Sequence, residues 1–167
     1  TDGGSYARWI HRFFKFDAPL TQGGTASGAM GGGVPGAIGA YLASNDDRMI
    51  VAFTGDGGFM MSGQELSTAV REQISIKIIV CDNNIHGSIL KGQVDKYGLE
   101  NAFGTIMESP DFAQIARAYG AKAWTVKTTD EWRLSFEEAL SQDGPALIHL
   151  IFDPRDIAPY GNEKDAV

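Results

Sequence analysis

Four mostly apolar runs stand out along the chain, "MIVAFT" (49–54), "IKIIVCD" (76–82), "AKAWTV" (121–126) and "ALIHLIF" (146–152). Each has the length of a strand, and the unbroken apolar character of the first is what burial on both faces requires. Between the runs the pattern changes. After Pro35, "GGGVPGAIGAYLAS" predicts a helix over about 34–43, with Pro35 tolerated in its first turn. "SGQELSTAVREQ" carries the S-x-x-E spacing of a capping box, Ser62 with Glu65, ahead of Leu66, Ala69 and Val70, and predicts a helix from Ser62. "SPDFAQIARAYG" offers Ser109 as N-cap, Pro110 at the first helical position, a stripe of Phe112, Ile115, Ala116 and Tyr119, and Gly120 as a stop. "DEWRLSFEEALSQ" reads as a further helix, whereas residues of about 88–108 show no clear period. Strands that alternate with helices at this spacing specify a parallel sheet covered on both faces. The expected fold class is therefore α/β, a doubly wound parallel sheet forming one domain over 1–167.

Composition removes several function classes. The 43% hydrophobic and 21% charged residues are those of a globular chain, and a net charge of −7 with scattered Lys and Arg leaves no basic stripe for nucleic acid. No apolar run approaches the ~18 residues that span a bilayer, and no signal-like start is present, so the expectation is a cytoplasmic protein without membrane association. Cys81 stands alone in an apolar run, which excludes a disulfide framework and reads as a small core residue. The first 20 residues gather Tyr6, Trp9, Ile10, Phe13, Phe14 and Phe16, an apolar segment suited to contact with another domain. The chain opens at Thr1 within such structured-looking sequence, and the expectation is a domain of something longer.

The candidate chemistry sits at two strand ends. In open α/β sheets ligands bind beyond the carboxyl ends of the strands, and Gly55-Asp56-Gly57-Gly58 and Asp82-Asn83-Asn84 follow the first two. Glycines permit close backbone approach to a phosphate, yet Asp56 would repel a bare one. A cation resolves the conflict. A carboxylate, an Asn amide oxygen and a backbone carbonyl from the second loop are hard oxygen donors that suit Mg²⁺, with phosphate oxygens completing the shell.

GDG, then 25 residues, then NN resembles the diphosphate and Mg²⁺ signature of thiamine-diphosphate enzymes. "SGAMGGGVPGAIGA", "GQELSTAVRE" and "SPDFAQIARAYGA" are similar to segments of the C-terminal, cofactor-binding domain in the acetolactate synthase, pyruvate oxidase and benzoylformate decarboxylase superfamily. The resemblance implies that Asp56 and Asn83 bind Mg²⁺ through side-chain oxygens and Ile85 through its carbonyl. Asn83 rather than Asn84 follows because it lies 27 positions after Asp56 and four before Gly87. It further implies cofactor contacts from Gly55, Gly57, Gly58, His86, Gly87 and Ser88 around the diphosphate, and from Gly28, Ala29 and Met30 around the pyrimidine. Met30 would be the apolar wedge that bends the cofactor.

The activating glutamate of that family belongs to a different, pyrimidine-binding domain of the same or a neighbouring subunit, and nothing in this sequence matches it. The resemblance thus implies half an active site, little turnover by the isolated chain, a homodimer or homotetramer, and a small 2-oxo acid or aldehyde as substrate. Ser88 stands where acetolactate synthases usually have Met, and Gly92-Gln93 where they have Trp-Gln. The sequence accordingly fits the broader group of decarboxylases and carboligases. Two other readings stay open on the residues: a nicotinamide-dinucleotide oxidoreductase domain, from G-x-G-x-x-G matches within 23–39, and a non-catalytic interaction domain of the same fold. For His149, alternating within a strand, a structural role is expected.

Overall fold

All four apolar runs become strands, in a computed structural model that describes residues 1–44 and 47–159. They are β1 (Ile50–Gly55), β2 (Ile76–Asp82), β3 (Lys122–Val126) and β4 (Ala146–Ile151), joined in one parallel sheet of order β1-β2-β4-β3. β2 is buried along its whole length, as a central strand with helices on both faces should be. Its register pairs Gly55 with Cys81 and Asp82 with Ile151, so all three strands end on the same side.

Alternation along β2 builds the two cores. Ile76, Ile78 and Val80 pack under α2 (Gly33–Ala43), α3 (Asp56–Ser62), α4 (Leu66–Arg71) and α6 (Phe112–Ala118). Ile79 and Cys81 face the other way, toward α1 (Ala7–Phe13) and α7 (Thr129–Leu140). Cys81 is a free, buried core residue, and burial pushes its thiol up to about 12. α5 (Gly87–Tyr97) fills part of the stretch that had no readable period.

Two helix starts differ from the sequence reading. No capping box forms at Ser62: α3 starts six residues earlier, at Asp56, and runs through a 3₁₀ turn (Gly63–Glu65) into α4. The Ser62 hydroxyl donates to the Gly31 carbonyl, while Glu65 accepts from Thr68. The N-cap of α6 is Asp111, whose carboxylate takes the Gln114 N–H, because Ser109 is engaged elsewhere. A true capping box does occur at Thr128 and Glu131, one helix later.

Candidate functional site

Sequence places one acidic residue, Asp56, directly after β1 and another, Asp82, at the last position of β2, and the parallel register makes them neighbours. Gly55 is the N-cap of α3, so the apparent GDGG turn is a helix start, with Asp56, Gly57 and Gly58 buried in its first turn. The glycines are needed for packing as well as for approach. A Cβ on Gly57 would come within 2.7 Å of His86 Cε1 and 2.8 Å of Met30 Cε, and one on Gly58 within 2.6 Å of Asp2 Oδ2.

Asp56 is 5% exposed. Its Oδ1 accepts the Gly57 N–H at 2.8 Å, but Oδ2 is buried with no hydrogen-bond partner. Burial, and after it the adjacent Asp82 carboxyl, push its pKa up to about 7, against the opposing pull of the Gly57 N–H. Asp82 goes the other way. Burial would raise it too, yet hydrogen bonds from His149, the Asn84 N–H and the Ser109 hydroxyl hold it below the usual carboxylate range. A buried carboxylate oxygen without a donor is an energetic liability that a proton or a cation removes.

The second loop is shaped by the same contacts. Asn84 adopts a positive φ of 58°, and its Oδ1 accepts the Ser109 N–H at 2.9 Å. Asn83 is buried and lines the cavity, whereas Asn84 is exposed and does not. An isolated antiparallel bridge pairs Ile85 with Ile106, but its two bonds use the carbonyls of Asn84 and Thr105. The Ile85 carbonyl is left outside that bridge. His86 precedes α5, and Gly87 and Ser88 open that 11-residue helix.

A cavity of about 220 Å³ joins these parts. Gly28, Met30, Gly55, Asp56, Gly57, Gly58, Asn83, Ile85, His86, Gly87 and Ser88 all line it. Ala29 does not: its carbonyl is taken by the Gly3 N–H at 2.9 Å and the Thr25 hydroxyl at 3.1 Å. Sequence reasoning missed the wall formed by Gly3, Gly4, Ser5 and Tyr6. It also missed Asp2, which is 4% exposed and accepts from the Gly31 N–H, the Gly33 N–H, the Thr54 hydroxyl and Tyr6. Asp2 ties the glycine-rich segment to the end of β1. Only its place directly before the glycines Gly3 and Gly4 could have signalled this. No strand leads into the 23–39 segment, as a dinucleotide fingerprint would need.

Residues 2–150 match the family described as "Thiamine pyrophosphate enzyme, C-terminal TPP binding domain". The chain is similar to the probable acetolactate synthase large subunit of Methanocaldococcus jannaschii, with 36% identity over 162 residues, 95% of this chain and 27% of that protein. Acetolactate synthase isozyme 1 large subunit of Escherichia coli is 35% identical over 159 residues, 93% of this chain and 28% of its own. Among solved structures, benzoylformate decarboxylase from Polynucleobacter necessarius has a TM-score of 0.83 at 30% identity, covering 92% of this chain and 29% of that one. The chain therefore spans less than a third of each protein it matches here. Among the described residues, no helix is long and apolar enough to cross a membrane.

Proposed function

This chain belongs to the thiamine pyrophosphate enzyme family, as a C-terminal TPP-binding domain, and from that premise we propose that it holds the cofactor's diphosphate through Mg²⁺. The orphaned, buried Oδ2 of Asp56 carries the proposal. Asp56, Asn83 and Ile85 all line one cavity, and a carboxylate, an amide oxygen and a backbone carbonyl are the hard-oxygen donors that Mg²⁺ prefers. Among the described residues no group of three or more His, Cys, Asp or Glu could hold a metal alone. Diphosphate oxygens would then complete the shell, which makes metal and cofactor binding interdependent.

Gly87 and Ser88, at the start of α5, present backbone N–H groups suited to an anion. Met30, with its methyl against the first turn of α3, would support the ring system of the cofactor, and the Gly28 backbone would meet its pyrimidine edge. When bound, thiamine diphosphate supplies an electron sink for cleaving or forming a bond beside a carbonyl. This chain's share is to bind, orient and shield.

Among the described residues no glutamate lines the cavity. We infer that the carboxylate activating the pyrimidine comes from a pyrimidine-binding domain of the same or a neighbouring subunit, and that this chain alone turns over little. The whole protein would act on a small 2-oxo acid or aldehyde, as the names of the relatives suggest, within a homodimer or homotetramer. Phe13, Phe14 and Leu20, exposed at 65%, 58% and 94%, supply apolar surface for such an assembly. Calorimetric titration with thiamine diphosphate tests the cofactor reading. Binding that requires Mg²⁺ supports it, and binding of equal strength in chelator refutes the metal's part.

A further inference from the structure

His149 lies on β4, opposite Val80 of β2, on the face that packs against α6. It is 3% exposed, and its Nε2 donates to Asp82 Oδ2 at 2.7 Å. The ring is held edge-on to Phe112, with centroids 5.0 Å apart, and Nδ1 points to within 3.8 Å of Asp111 Oδ1. Asp82 Oδ1 is also occupied, by the Asn84 N–H at 3.0 Å and the Ser109 hydroxyl at 2.9 Å. Both oxygens of Asp82 are therefore already taken by donors, while the adjacent Asp56 keeps one oxygen that no donor meets.

Two carboxylates side by side would normally make a strong site for a bare divalent cation. Here only one is available. We propose that His149 is a positioning residue of the cation site: it withholds Asp82 from the cation, so that metal stays only in the company of a diphosphate. The inference rests on the reading that Asp56, Asn83 and the Ile85 carbonyl hold that metal. Without the imidazole, Asp82 Oδ2 loses its donor next to the unpaired oxygen of Asp56. A cation between the two satisfies both, and the protein then captures metal with no cofactor oxygen to complete the shell.

The test follows Mn²⁺, standing in for Mg²⁺, by the EPR signal of the free ion in the intact protein, with and without thiamine diphosphate. Wild type should bind Mn²⁺ weakly alone and more tightly with the cofactor. His149→Leu should tighten cofactor-free Mn²⁺ binding by about tenfold or more, and adding Asp82→Asn to it should reverse the gain. His149→Gln, which keeps an N–H donor, should resemble wild type. Asp82→Asn alone should bind Mn²⁺ with cofactor within about threefold of wild type, because Asp82 is no ligand; this arm serves if His149→Leu fails to fold. A loss on Asp82→Asn as large as on Asp56→Ala overturns the proposal, and so does His149→Leu binding cofactor-free Mn²⁺ no better than wild type. If instead Asp56→Ala leaves Mn²⁺ binding unchanged, it is the underlying cation site that fails.

Discussion

The two ends of the sheet both bury charge, and they treat it in opposite ways. At the amino end, Lys77 on β2 is fully buried, and its Nζ donates to Ser75 Oγ at 3.3 Å and to the carbonyls of Gln142 and Gly144 at 2.7 and 2.9 Å. Three donors meet three acceptors, and the ammonium fastens the β4 approach to β2. At the carboxyl end, Asp56 is buried beside the Asp82 carboxyl with an oxygen that no hydrogen-bond donor meets. Satisfied burial is structure. Unsatisfied burial, in a cavity lined by glycines and amide groups, is what a bound ligand carrying its own charge would relieve.

The largest effect that would sharpen this contrast is electrostatic. A carboxyl whose folded pKa lies above its unfolded value stabilises the fold fully at low pH and loses that contribution as pH rises. For Asp56 the loss runs from about 4 to about 7. Asp56→Asn should therefore stabilise the metal-free protein at pH 8 by on the order of 3 kcal/mol, with the gain vanishing toward pH 4. Thermal melts across that range in chelator check it, and a variant less stable than wild type at pH 8 would break the contrast.

Next in size is Gly58→Ala, whose new Cβ must push into Asp2 Oδ2 and Thr54 Oγ1, both buried. A loss of about 2 kcal/mol in denaturant unfolding is expected, accompanied by weaker cofactor binding as the glycine-rich segment shifts. Lys77→Met should cost about 1–2 kcal/mol, from the Gln142 carbonyl left unpaired and the Gly144 carbonyl left with only the Ser75 hydroxyl at 3.4 Å, and should leave cofactor affinity unchanged. That pairing of a stability loss with intact binding is the opposite of Asp56→Asn. Smallest is Ser75→Ala, at about 0.5 kcal/mol, since Lys77 keeps both carbonyl partners.

Strand positions were legible because continuous apolar runs of this length have few alternatives, and the places of Asp56 and Asn83 after successive runs pointed to the one cavity that both line. Helix starts were harder. Ser62 with Glu65 has a capping-box pattern, but tertiary packing lets α3 begin at Asp56, where glycines accept the close contacts of His86, Met30 and Asp2. Ser109 could not be read as a clamp on Asp82 and Asn84, because that role depends on the loop before α6 meeting the end of β2 across 27 residues of sequence. The Asp82–His149 pair, 67 residues apart, is invisible for the same reason. Asp2 and Tyr6 belong to a segment whose aromatics suggested contact with another domain, yet Tyr6 turns inward onto the Asp2 carboxylate and the Phe53 carbonyl. Local pattern predicts elements; long-range polar pairing does not leave a local pattern.

Asp56 is proposed here as a metal ligand as well as the first residue of α3. Calorimetric titration of thiamine diphosphate into Asp56→Ala, in saturating Mg²⁺ and with the fold checked by circular dichroism, tests it most directly. Loss of the Mg²⁺-dependent binding with the spectrum unchanged is the predicted result. Binding at wild-type strength would leave Asp56 as a helix-start residue and no metal ligand.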